Sequence, residues 1–169
     1  RRDGAFIKIE QVREATSRLQ FDPVLGACKA VLVEDAELLH VFAHHELQAA
    51  ELFAWAILAF ADAPEPFVRG LAALAGDEAR HFAAYEVELA RLGHPYGAFP
   101  VRDWFWERAP SIDSPASFCA FVGLGLESAN LDHTRRFEAE LRAAGDDAAA
   151  DLTAAIGREE IAHVRFAVR

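Results

Sequence analysis

Two short strings carry the chemistry of this sequence. Glu78-x-x-His81 and Glu160-x-x-His163 each set a carboxylate three residues before an imidazole. On a helix that spacing puts both heads on one face, one turn apart, where they can reach a common point. Carboxylate and neutral imidazole together suit iron or manganese, whereas closed structural zinc sites favour thiolates. Each string also follows another glutamate at a matched distance: Glu46 lies 32 residues before Glu78, and Glu127 lies 33 before Glu160. Each half of the chain thus offers Glu, then Glu-x-x-His, and the two halves together offer six ligands. A third match, Glu37-x-x-His40, falls on the opposite side of its helix from Glu46 and reads as surface or interhelical polar decoration.

The elements that would position these groups are helices. Apolar periodicity predicts a first helix over about Asp35 to Ala61, ending at the breakers of "DAPEP". A second runs from about Glu65 to Leu92, stopped by Gly93 and Pro95. Ser114-Pro115 reads as an N-cap with proline at the first helical position, opening a third helix to about Ala144. After "AGDD", Asp146 or Asp147 caps a fourth that continues to the chain end. Between the second and third lies the long, aromatic-rich stretch "HPYGAFPVRDWFWERAPSID". Two short links and one long one give an all-α antiparallel four-helix bundle with a single crossover between helices 2 and 3. Residues 35–169 form this bundle domain; residues 1–34 read as an N-terminal extension or arm, in which "AFIKIEQV" suits a short strand.

At 100° per residue, Glu46 shares a stripe with Leu39, Phe42, Ala50, Phe53, Ile57 and Phe60, while Glu51 falls beside His44 and Trp55. Glu78 and His81 lie with Leu71, Leu74, Phe82, Tyr85 and Leu89. Glu127 lies with Ala120, Leu124, Leu131 and Leu141; Glu160 and His163 lie with Ala149, Thr153, Ile156, Val164 and Ala167. Burying four carboxylates in one apolar seam costs several kcal/mol per ion unless cations neutralise them. Two divalent metals held by Glu46, Glu78, His81, Glu127, Glu160 and His163 would do so, as in ferritin-like di-iron or di-manganese carboxylate bundles. Asp77 and Glu159 each precede a ligand glutamate and can accept the outer N–H of a histidine on the facing hairpin, with Arg80 pairing with Asp77. They are equally readable as ordinary surface charges.

Composition bounds the rest. The chain has 169 residues and fits one domain. A net charge of −10 argues against wrapping nucleic acid, which needs a basic face. No apolar run approaches the ~20 residues of a membrane span, and no signal-peptide pattern opens the chain. Cys28 and Cys119 make no CxxC, so a reduced, cytoplasmic setting is expected. The sequence holds no methionine, even at position 1, and reads as an excised or processed piece.

"DEARH" resembles the Asp-Glu-x-Arg-His signature of bacterial multicomponent monooxygenases and their ferritin-like relatives. "HHELQAAELFAWAILAF", "DEARHFAAY", "LGHPYGAFPVRDWFWE" and "GLESANLDHT" with "EEIAHVRFAVR" resemble an uncharacterised bacterial branch of ferritin-like domains, called MiaE-like after a tRNA hydroxylase. The likeness spans about residues 35–169 and implies the six ligands just named. The second motif reads "EEIAH" and departs from the signature. Glu78-x-x-His81-x-x-x-Tyr85 is similar to the string that places the radical tyrosine in ribonucleotide reductase small subunits; Tyr85 is thus a candidate redox residue, or a packed aromatic. Trp104 and Trp106 read as lid or packing residues. Gly123 and Gly125, with Asn130 and Thr134 nearby, either leave room for substrate or allow close helix packing. The expected function is an O₂-activating oxidoreductase with two iron ions, or iron and manganese, per chain. It would take a small organic substrate, O₂ and an external electron donor, with no nucleic acid or membrane partner, and a homodimer is compatible. The alternatives are a ferroxidase or iron-storage protein and a metal-free ferritin-like scaffold.

Overall fold

A computed structural model of the chain describes the backbone from Gly26 to Val168 and the side chains from Asp35 to Val168. The chain divides between Glu34 and Asp35 into two compact units, of which Asp35–Arg169 carries the bundle. The proposed strand "AFIKIEQV" lies outside the described residues. Four long rods account for the bundle. The first is α1, Gly26–Ala59; it starts earlier than the periodicity predicts, since nothing in "ACKAVLVE" breaks a helix. The second is α2, Glu65–Arg91. The third consists of α3, Pro115–Phe118, an eight-residue π-helical segment, Cys119–Leu126, and α4, Glu127–Ala144. The fourth is α5, Asp147–Ala167. A 3₁₀ turn, Ala109–Ser111, precedes the third rod. No strand occurs among the described residues, and no helix there is long and apolar enough to cross a membrane.

The ends follow local chemistry. Gly93 takes φ 84° just past α2, and Gly145 takes φ 86° past α4, the left-handed geometry that closes a helix and that side chains resist. Ser114 accepts the Ser117 N–H at 3.2 Å while Ser117 Oγ accepts the Ser114 N–H at 3.0 Å, a reciprocal cap that starts α3. Asp146 accepts the Ala149 N–H at 3.1 Å and starts α5.

The apolar interior is split in two. One cluster gathers Leu39, Phe42, Tyr85, Leu89, Phe137, Leu141 and Ile156. The other gathers Leu52, Phe53, Leu71, Leu74, Phe118 and Val122, with Phe105 and Ile112 of the crossover. On each rod the charged residues fall between members of the two clusters, so a polar layer lies across the middle of the bundle.

The crossover is strapped onto α1 by a ladder of polar side chains. His40 Nε2 accepts the Gly97 N–H at 2.7 Å, and His44 Nδ1 meets the Tyr96 hydroxyl at 2.7 Å. Gln48 donates to the Arg102 carbonyl at 3.1 Å and accepts the Phe105 N–H at 3.3 Å. Glu51 is exposed and accepts from the Trp106 indole at 2.8 Å. Of the reading of Glu37-x-x-His40 as surface or interhelical polar decoration, the surface alternative holds for exposed Glu37, whereas His40 is wholly buried under the crossover. It also explains why α1 buries two faces, one toward the bundle and one toward the strap.

Candidate metal centre

Every one of the six predicted donors is buried: Glu46, Glu78, His81, Glu127, Glu160 and His163 are all 5% exposed or less. They converge as two overlapping groups. Glu46, Glu78, His81 and Glu160 bring one donor atom each within 4.8 Å of one another, as do Glu78, Glu127, Glu160 and His163. Glu78 and Glu160 belong to both groups.

Each histidine turns one nitrogen inward and the other outward. His81 Nδ1 faces Glu78 at 3.3 Å, Glu160 at 3.4 Å and Glu46 at 3.5 Å. Its Nε2 hydrogen-bonds Glu159 at 3.2 Å. His163 Nδ1 lies 2.7 Å from both Glu78 Oε1 and Glu160 Oε2, and its Nε2 lies 3.5 Å from Asp77. The outer contacts are crossed: each histidine meets the acid beside the other motif. Arg80 joins those acids, donating to Asp77 at 2.5 Å and to Glu159 at 3.3 Å.

The two 2.7 Å approaches at His163 lack hydrogen-bond geometry, and one N–H cannot serve two oxygens. Buried Glu78 Oε1, both Glu160 oxygens and both His163 nitrogens have no hydrogen-bond partner. Buried polar atoms are rarely left so. Oxygen and nitrogen donors converging from several sides are what a cation requires, and the buried Glu/His cluster could hold metal ions on these grounds. With four carboxylates, two imidazoles and no thiolate, the donors fit iron or manganese.

Taken by themselves, the six groups divide their charge. Burial, then the neighbouring Glu78, pushes the Glu46 carboxyl well above its usual range. Burial, then Glu78 and Glu160, does the same to Glu127. For Glu78, burial acts upward but is outweighed by contacts with Glu46, His163 and His81, so its pKa falls. Glu160 is likewise lowered, by His163 and His81 against its burial. Burial opposes the charged imidazoles, yet the facing carboxylates raise His81 strongly and His163 to about 10. Burial thus works against charge throughout the layer, and the mutual contacts of Glu78 and Glu160 with His81 and His163 oppose it.

Glu127 arrives here through the π-helical segment. Its N–H bonds the Val122 carbonyl five residues back. The inward series is therefore Phe118, Val122, Gly123 and Glu127. The expected stripe partners Ala120 and Leu124 are both exposed, Leu124 by 44%. The helical period of 3.6 used in the sequence reading does not hold where each turn carries an extra residue. Gly123 allows a close approach, since a Cβ there would lie 2.2 Å from the Ala167 Cβ. Gly125 has only ordinary contacts, and Thr134 is packed against Gly157. Tyr85 is buried one turn beyond His81, beside Phe42. Trp104 and Trp106 are half-buried in crossover packing. What the sequence reading missed is a cavity beside His163, lined by Phe53, Phe118 and Cys119 among others.

An uncharacterized protein of Haemophilus influenzae is 32% identical over 137 residues, which is 76% of this chain and 48% of that protein. The chain therefore spans about half the length of the curated relative it matches. No solved structure matches it. A family model described as "Protein of unknown function (DUF455)" matches residues 28–169. With most of its length matched, the chain belongs to this DUF455 family.

Proposed function

We propose that the polar layer is a di-metal centre of the ferritin-like carboxylate type, and that the protein is an O₂-activating oxidoreductase on a small organic substrate. Glu46, Glu78, His81, Glu127, Glu160 and His163 are its ligands. The observation that carries this is the overlap of the two donor groups on Glu78 and Glu160. Glu78 and Glu160 would contribute to both metal positions, Glu46 with His81 would help hold one, and Glu127 with His163 the other.

When bound, a pair of reduced iron ions, or iron with manganese, supplies electrons to dioxygen. The chain's own contribution is position and charge. Glu159 accepts the outer N–H of His81 and so presents its Nδ1 lone pair to the layer. Asp77 stands near the corresponding nitrogen of His163. Bound cations would lower the raised Glu46 and Glu127 carboxyls, and the apolar clusters above and below exclude water from the layer.

Elemental analysis of natively purified protein, and of protein expressed with added iron or manganese, tests the reading. The expected content is about two ions per chain. Glu127→Ala should lose high-affinity binding at one position, and the exposed Glu51→Ala should lose none. Equal content in both variants, or an empty wild type, refutes the metal assignment. A large shell accumulating many irons per subunit would instead make metal the cargo.

A further inference from the structure

Beside His163 lies a small cavity, partly open to the surface, with room for about one small molecule. Its walls are Phe53, Leu74, Phe118 and Phe166, from all four rods, and its one charged or strongly polar side chain is His163. Phe53 and Phe118 are 2% and 1% exposed, and His163 is 1% exposed. Toward the surface stand Cys119, Phe166 and Ala167, all part-exposed. Burial raises the Cys119 thiol, so this rim stays uncharged.

A water molecule is poorly kept in such a place. Retention needs two to four polar partners, and apolar cavities of this kind stay dry while accepting xenon or small apolar molecules. The shape depends on the π-helical segment, which contributes Cys119 and Gly123 to the lining. With a Cβ at Gly123 only 2.2 Å from that of Ala167, no other residue lets the third rod and α5 close the cavity this way. His81, the other inward-facing histidine, does not border this cavity.

We propose that this cavity is the dioxygen pocket of the centre: a site for one small apolar gas molecule, entered past Cys119 and ending against His163. The proposal rests on the di-metal reading, because it assigns a cosubstrate to that site and to the His163 side of it.

Xenon is the probe. The full chain, with methyl groups and histidine rings labelled, is titrated with xenon under pressure and followed by NMR, with metal content measured on the same samples. The expected result is a saturable shift confined to Leu74, Ala167 and the His163 ring. Cys119→Leu, which fills the mouth, should weaken it at least tenfold with metal content unchanged. Should that variant fail to fold, the wild-type protein is pressurised with oxygen in its metal-free form. Paramagnetic relaxation should then be strongest at the same buried methyls and ring. Relaxation that merely follows surface exposure, xenon shifts absent from these residues, or Cys119→Leu binding as tightly as wild type would each overturn the pocket. Loss of the pocket with metal retained leaves the centre standing; loss of metal with xenon binding retained refutes the centre alone.

Discussion

Glu127→Met should stabilise the metal-free protein and remove much of its response to metal. Glu127 is 5% exposed, its nearest imidazole nitrogen is 4.0 Å away on His163, and its pKa is raised by burial and then by Glu78 and Glu160. Of the four glutamates in the layer it is the least compensated. Burying a poorly partnered polar group costs about 1–3 kcal/mol, which an apolar side chain of similar size avoids. The low half of that range is appropriate, since the raised pKa relieves part of the penalty. At about 2–4 °C per kcal/mol for a chain of this size, melting should rise by roughly 3–8 °C in chelator. A site metal at a hundred times its dissociation constant would stabilise the wild type by about 2.7 kcal/mol. The variant lacks one carboxylate of the second donor group and should gain less, so manganese reverses the order of the two melting temperatures.

The pH dependence has a defined sign. A carboxyl whose folded pKa is raised lets the unfolded chain give up its proton first, so wild-type stability falls as pH rises above about 4.3 toward the folded pKa. The advantage of Glu127→Met in chelator should therefore shrink when the melts are repeated near the unfolded pKa and grow toward neutral pH. Circular-dichroism melts with chelator and with excess manganese measure all of this. Destabilisation of the metal-free variant, together with a full wild-type response to manganese, would refute the claim that this carboxyl serves metal rather than fold.

Glu78→Ala should empty both metal positions, whereas Glu46→Ala should cost about one ion per chain, because Glu78 belongs to both donor groups and Glu46 to one; elemental analysis after equilibrium dialysis distinguishes them. Gln48→Ala strips the crossover of its bonds to Arg102 and Phe105 and should cost about 1–3 kcal/mol in urea unfolding, with faster amide exchange at Phe105. Gly157→Ala gains about 1 kcal/mol of helix propensity but sets a Cβ 2.8 Å from the Thr134 Cβ and 2.4 Å from its hydroxyl. Overpacking of about 1–3 kcal/mol should win, lowering the melting temperature, and Thr134→Ala in the same chain should recover part of the loss.

How much of this is legible in the sequence depends on the range of the interaction that decides each feature. The ends of α2, α4 and α5 were readable because Pro64, Gly93, Gly145 and Asp146 act on their own helix termini. The convergence of the six donors was readable because Glu-x-x-His on an apolar stripe has little choice of direction. The π-helical segment was not, since its cause is tertiary: a close approach of Gly123 to Ala167, some forty residues on. "FVGLGL" offers the glycines as a clue, but either packing or substrate space explains them locally. The burial of His40 was equally hidden, because its partner is a backbone amide at Gly97, across the crossover.

The ligand repeat is regular, and its surroundings are not. "DEARH" contains an arginine that clasps both outer acids, while "EEIAH" has Ile161 and Ala162 in the intervening positions and supplies no counterpart. His81 accordingly has a bonded outer nitrogen, and His163 stands 3.5 Å from its acid. The less tightly held histidine is also the one that borders the cavity. The two hairpins thus bring equivalent donors together, while the arginine belongs to the first and the π-helical segment to the second. Arg80 alone holds both outer acids, so the outer contacts of His81 and of His163 depend on a single side chain.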